Sequence, residues 1–174
     1  MLAVAREQNQ SVIVAIALGS NLGDRAGTIY AALAMLDRAA QIRVVIASEL
    51  LDTEPVGVKD QPRFLNAAAL LQTTLGPLAL LHTCHAIERT LGRNRGDEQR
   101  WGPRTLDLDV LLYGEAIVNV PGLTIPHPRM GERAFVLEPL CQIAPAMRIP
   151  DGADSSITVT DAWQRLNRLP TRAS

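Results

Sequence analysis

Cysteine, lysine and aromatic residues are scarce in this 174-residue chain, and each scarcity removes a class of function. Its two cysteines, Cys84 and Cys141, stand far apart without metal-ligand spacing, which excludes a disulfide framework and a cysteine zinc site. Aromatic residues make up 3% of the chain, so a flat ligand has few stacking partners and the aromatic platform of an RNA-binding sheet is missing. Charge of one sign is also lacking: 17 basic residues face 18 acidic ones, leaving no net field toward nucleic acid or membrane. No stretch approaches the roughly 20 apolar residues of a bilayer span. The opening segment, with Arg6 and Glu7 beside Gln8, Asn9 and Gln10, does not read as a signal peptide. These features predict a cytoplasmic protein with no membrane and no nucleic-acid partner.

What is present suffices for a core. Hydrophobic residues are 47% of the chain and the mean hydropathy is +0.08, consistent with one domain over 1–174, residues 1–11 forming a flexible extension and 170–174 a flexible tail. The basic set is arginine throughout except for Lys59. An arginine-rich coding bias accounts for that, and so does a site that needs planar forks for phosphate oxygens; position must decide between them.

Hydrophobic periodicity predicts a strand over Val12 to Leu18, a turn at Gly19–Asp24 and a helix running to about Ala40. Strands follow from Ile42 to Leu50 and from Phe64 to Gln72. Pro77 opens a second helix in which Leu81, Cys84, Ile87 and Leu91 share a face until Gly92. A strand over Leu106 to Tyr113 comes next, with Gly114-Glu115 as a hairpin turn into Ile117 and Val118. Helices over Ala134 to Ile143 and Asp161 to Leu169 complete the chain. The first six elements read βαββαβ, a ferredoxin-like α+β fold with a mainly antiparallel sheet and the helices on one face, plus a C-terminal hairpin and helices.

Chemistry concentrates at Asp107-Leu108-Asp109. On a strand, positions i and i+2 share a face about 6–7 Å apart, so both carboxylates point one way while Leu108 and Val110 point to the core. Two neighbouring carboxylates repel unless something positive stands between them, and magnesium with its preference for oxygen ligands meets that need. A solvated face would also explain the pair taken alone. Just before it, however, five arginines lie between Arg89 and Arg104 against Asp97 and Glu98. Cationic forks beside a metal-binding pair suit phosphoryl chemistry. A loop of the length of Gly92–Thr105 is also a natural lid over a substrate.

The segment Arg100-Trp101-Gly102-Pro103-Arg104-Thr105-Leu106-Asp107-Leu108-Asp109 closely resembles the signature of the 6-hydroxymethyl-7,8-dihydropterin pyrophosphokinases of folate biosynthesis. The resemblance extends to Ala17–Asp24, Thr53–Gly57, Asp60–Ala67 and Leu123–Pro128, in order and over most of the chain. It implies transfer of diphosphate from ATP to the hydroxymethyl group of a reduced pterin, with release of AMP, on a ferredoxin-like core, by a monomer. It further implies that Asp107 and Asp109 ligate two magnesium ions. Arg93 and Arg104 would hold phosphates, and Arg95, Arg100 and Trp101 would lie on a closing loop, Arg95 and Trp101 taking part in catalysis. Glu88, His85, Val110, Thr124, His127 and Arg133 would face the nucleotide. Phe64 and Phe135 would sandwich the pterin, whose edge would be read by Asn66, Thr53, Pro55 and Val56, with Gly19, Gly57 and Trp101 completing the slot. Gly122 and Pro128 depart from the pattern, removing an arginine and a tyrosine that some members place there. Two rival readings, a ferredoxin-like nucleic-acid module and a magnesium phosphodiesterase, predict no AMP from ATP and pterin; the first also requires a basic aromatic sheet face.

Overall fold

The computed structural model describes residues 10–94, 102–152 and 156–168. Its framework is a five-stranded sheet. Strand β1 (Val12–Ser20) lies at the centre, paired antiparallel with β4 (Phe64–Thr73) on one side and β5 (Asp107–Tyr113) on the other. β2 (Ile42–Ala47) and β3 (Leu51–Thr53) both pair antiparallel with β4. The order β2-β4-β1-β5 is that of a ferredoxin-like sheet, with the returning strand β4 inserted between β1 and β2.

β1 needs no polar face because both of its faces are covered. Val14, Ile16 and Leu18 point into one core and Ala15 into the other. The first core is closed by α1 (Arg25–Arg38) and α2 (Pro77–Thr90), through Ile29, Ala32 and Leu36 on one helix and Leu80, Cys84 and Ile87 on the other. The Asp24 side chain accepts from the Gly27 amide and caps α1; Pro77 opens α2, and Gly92 follows it at φ +89°.

Two sequence expectations change. The strand expected over Ile42–Leu50 ends at Ala47 as β2, and β3 follows at Leu51–Thr53, where the sequence predicts a loop. Ser48 lies between them, and its Oγ accepts from the Ala68 amide at 2.9 Å, a side chain taking a place in the ladder. The turn at Gly114-Glu115 does not fold a strand back onto β5: β6 (Val118–Val120) pairs with β7 (Leu123–Ile125) in a separate two-stranded sheet. The two helices of the βαββαβ core, α1 and α2, share one face as expected. α3 (Ala134–Ile143) and α4 (Val159–Arg168) cover the opposite side through Val136, Leu137, Leu140, Val159 and Ala162, giving three layers. A short ladder, β8 (Arg148–Ile149) with β9 (Ile157–Thr158), links α3 to α4.

Candidate active site

The sheet face under α3 and α4 is only partly roofed, and the open end is where the motif residues gather. Register fixes this. Gly19 pairs with Asn66 on β4 and with Asp107 on β5, so these three share one cross-strand row, Asn66 and Asp107 about 10 Å apart at two strand spacings. The adjacent row on the same face holds Ala68, Ala17 and Asp109. Glycine and alanine in these rows leave a floor without bulk. Above it opens a cavity of about 370 Å³, lined by Thr53, Val56, Phe64, Arg93, His127, Arg133 and Phe135 as well as Gly19, Asn66, Asp107, Ala17 and Asp109 of the floor. A Cβ at Gly19 would stand 3.1 Å from Asn66 Oδ1, so a larger residue there would have to displace that amide.

At one end the cavity suits a flat polar ring. Asn66 Nδ2 donates to Thr53 Oγ1 at 2.7 Å, which fixes the amide and leaves its Oδ1 toward Gly19. Phe64 and Phe135 both line the cavity, and each carries a guanidinium over its ring: Arg104 at 6.0 Å from Phe64 and Arg133 at 5.6 Å from Phe135.

The other end is charged. Asp107 accepts from Arg93 Nη1 at 2.5 Å and from Arg104 Nη1 at 2.7 Å. Arg93 is itself held from below: Glu88, wholly buried, accepts from Arg93 Nη1 at 2.6 Å and from the Leu108 amide at 2.8 Å. Among the described residues Asp109 has no such contact; His127 Nε2 and Arg133 Nη1 each stand 3.9 Å from its Oδ2. Desolvation in the cavity and then the Asp107 charge push its carboxyl up to about 6. His127 moves the other way, to about 4, because of burial and then the charges of Arg133 and Arg129. Its imidazole is therefore neutral near pH 7, and with Nδ1 accepting from the Arg129 amide at 3.2 Å the proton sits on Nε2. Burial, followed by Arg129, also lowers Arg133.

Several expected site residues lie elsewhere. Glu88 is beneath the cavity rather than in its wall, Val110 is buried in the first core, and Thr124 is exposed on β7. His85 on α2, buried Pro55 and exposed Gly57 also stand outside the lining. Arg95, Arg100 and Trp101, with residues 1–9 of the extension and the 170–174 tail, lie outside the described residues. Two contributors went unassigned in the sequence reading. Asn21, 2% exposed, accepts from the Arg104 amide at 2.7 Å and donates to Gln61 Oε1 and the Pro62 carbonyl, tying the β1–α1 turn to both segments that frame the cavity. Arg129 lines the cavity two residues after His127. Their signals were a buried amide in a Gly-Ser-Asn turn and an arginine beside a motif histidine.

Comparison with known proteins accords with this geometry. Residues 15–145 match the model of the 7,8-dihydro-6-hydroxymethylpterin-pyrophosphokinase family. The chain is 46% identical over 158 residues to a 2-amino-4-hydroxy-6-hydroxymethyldihydropteridine pyrophosphokinase of Pseudomonas aeruginosa, covering 90% of this chain and 96% of that one. A Bacillus subtilis protein of the same name is 48% identical over 131 residues, 75% of this chain and 77% of its own. Among solved structures, a Plasmodium falciparum HPPK-DHPS superposes with a TM-score of 0.70 at 15% identity, over 92% of this chain. This chain spans 45% of that longer protein, and the likeness is one of fold. With three quarters of its length inside the family model and relatives of its own size close to half identical, the chain belongs to the 7,8-dihydro-6-hydroxymethylpterin-pyrophosphokinase family.

Proposed function

We propose that this protein, a single domain acting as a cytoplasmic monomer, transfers the terminal diphosphate of ATP to 6-hydroxymethyl-7,8-dihydropterin in folate biosynthesis. The observation that carries the reading is the row Asn66–Gly19–Asp107, which sets a ring-reading amide and a phosphate-handling carboxylate on one floor. In the step, the pterin hydroxyl oxygen bonds to the β-phosphorus, the bond from that phosphorus to the α-phosphate bridging oxygen breaks, the hydroxyl proton leaves, and AMP departs.

The pterin lies between Phe64 and Phe135, its amino-pyrimidinone edge meeting Asn66, with Thr53 fixing that amide. This orientation brings the hydroxymethyl group toward the carboxylate end, where Arg93 and Arg104 meet phosphate oxygens. Neutral His127 donates from Nε2 and does not serve as a base, and Arg133 adds charge on the Asp109 side. Asp107 and Asp109 fit magnesium: they are hard oxygen donors two apart on one strand face, both line the cavity, and no cationic group among the described residues approaches Asp109 closer than 3.9 Å. In our reading they hold two ions, and magnesium there supplies charge neutralisation for the phosphates. Incubation with ATP, magnesium and the reduced hydroxymethylpterin should yield AMP in step with pterin diphosphate. Release of ADP or inorganic phosphate instead would refute the transfer.

A further inference from the structure

We propose that Asn21 is a positioning residue for the transfer, its buried carboxamide fixing Arg104 against the segment that delivers Phe64 to the ring slot. The inference rests on the diphosphate-transfer reading above and adds to it a residue that lies outside the cavity lining.

The grip on Arg104 is two-sided. The Asn21 amide donates to the Arg104 carbonyl at 3.1 Å, and Asn21 Oδ1 accepts from the Arg104 amide at 2.7 Å. These bonds carry the contact between β1 and β5 beyond the Gly19–Asp107 pair, with a side-chain oxygen standing where a main-chain carbonyl would accept in a regular ladder. The main chain is thereby released to turn at Gly23, φ +63°, into α1. At its tip the Arg104 guanidinium is held by Asp107 through Nη1 at 2.7 Å, while Arg104 Nε and Thr105 Oγ1, both buried, have no hydrogen-bond partner among the described residues. In the reading above Asp107 ligates magnesium, so the backbone hold from Asn21 is what keeps Arg104 aimed when that carboxylate turns to its ion.

The amide nitrogen serves the other side of the slot. Asn21 Nδ2 donates to Gln61 Oε1 at 3.1 Å and to the Pro62 carbonyl at 3.0 Å, so the oxygen and both N–H groups of this residue, 2% exposed, are committed. Pro62 stands two residues before Phe64, which opens β4. One carboxamide thus sets the spacing of two segments whose side chains meet at the cavity, the Arg104 guanidinium 6.0 Å from the Phe64 ring centroid. That junction joins the ring end to the charged end, where transfer requires the hydroxyl oxygen in line with the phosphorus, and a misplacement of about 1 Å can cost about 10²-fold in rate. Neither an aspartate nor a serine supplies an acceptor and two donors at once, so the chemistry of the position calls for the amide.

Asn21→Ala and Arg104→Met, singly and together, should be titrated calorimetrically with magnesium and an ATP analogue carrying a methylene between the α and β phosphorus atoms, with thermal melts of each protein. Asn21→Ala should bind the analogue about 10-fold more weakly and release AMP about 100-fold more slowly at saturating substrates. In the Arg104→Met background the same substitution should change analogue affinity by less than about twofold, because the group it positions is gone. A purely structural role predicts equal fold losses in both backgrounds; that result, or unchanged analogue affinity in Asn21→Ala alone, would overturn the inference. If Asn21→Ala fails to fold, Asn21→Asp decides, since it keeps an oxygen for the Arg104 amide and loses the donors to Gln61 and Pro62. Analogue affinity within about threefold of the wild type, with pterin affinity lowered about 10-fold or more, supports the inference, and any other pattern overturns it. Equal losses in the two backgrounds with normal AMP release by the wild type refute the inference alone. Absence of AMP release by the wild type refutes the functional reading and this extension with it.

Discussion

Glu88→Ala should be the most destabilising single change at this site, although Glu88 does not line the cavity. Its carboxylate is wholly buried and Oε1 serves two donors, Arg93 Nη1 at 2.6 Å and the Leu108 amide at 2.8 Å. Truncation strands a guanidinium whose side chain is 5% exposed and a backbone N–H on a residue 1% exposed. Breaking one side of a buried pair costs about 3–5 kcal/mol, and an orphaned amide about 1–3 kcal/mol more. Arg93 keeps Asp107 at 2.5 Å, which offsets part of this. A net loss of about 3–5 kcal/mol corresponds to a fall in Tm of roughly 6–20 °C for a chain of this size. Glu88→Gln keeps an oxygen for Leu108 and loses only the charge, so about half that loss is expected. Urea unfolding of the wild type, Glu88→Ala, Arg93→Met and the double variant gives the coupling directly, expected at about 1.5–3 kcal/mol. A Glu88→Ala protein within about 1 kcal/mol of the wild type would show that the buried carboxylate is not the support of Arg93.

Asp109→Ala should leave the fold intact, as its carboxylate accepts no close hydrogen bond, yet depress single-turnover AMP release by orders of magnitude across a magnesium titration; near-normal turnover would refute its role as a metal ligand. Phe135→Ala should weaken pterin binding by about 0.5–1.5 kcal/mol beyond the lost burial while nucleotide affinity holds, and an equal loss for both ligands would displace Phe135 from the ring slot. In pH dependence the two titrating neighbours oppose each other. Asp109, raised from 3.8 to about 6, binds a proton more readily folded than unfolded and so contributes stability that is lost as pH rises through about 6. His127, lowered from 6.5 to about 4, contributes stability that is lost as pH falls across that window. Urea unfolding between pH 4 and 7 should therefore show a steeper acid loss in Asp109→Asn and a shallower one in His127→Gln; identical slopes would refute both shifts.

The elements were legible where a single period ran long enough. Val12–Leu18 and the faces of α1 and α2 follow from side-chain alternation and helical spacing, and Asp24 and Pro77 mark the helix starts chemically. What escaped depends on partners distant in sequence. That Ser48 interrupts a strand is set by the Ala68 amide across the ladder, and that Val118 turns away from β5 is set by Leu123–Ile125 as its partner. The second helical layer was invisible for a related reason. Ala15 and Ala68 look like any small strand residues until α3 is laid over them, and those same small residues make the open floor at Ala17 and Gly19. The carboxylate pair was legible in full because both members lie on one strand. Asn21 and Arg129 were not, since each acts through the spatial meeting of segments that the sequence separates.

The two aspartates look equivalent in the sequence and are not equivalent in the fold. Asp107 opens β5, directly after the arginine-bearing segment, so Arg93 and Arg104 both reach it from the chain that delivers the strand. Asp109 lies two residues further in, beyond their direct hydrogen-bonding contacts; among the described residues its nearest cationic groups are on the 127–133 segment at 3.9 Å, and Arg104 acts on it from a distance. Charge is therefore balanced at one end of the pair and deficient at the other before any ligand arrives. Desolvation, and then the Asp107 charge, raise Asp109, while Arg93 and Arg104 clamp Asp107. A phosphate chain drawn to the four cavity arginines would compete with Asp107 for two of them, leaving both carboxylates in need of a cation at once. On this argument the arginines and the magnesium demand are coupled through a single strand, and neither the anion nor the cation site is complete without the other.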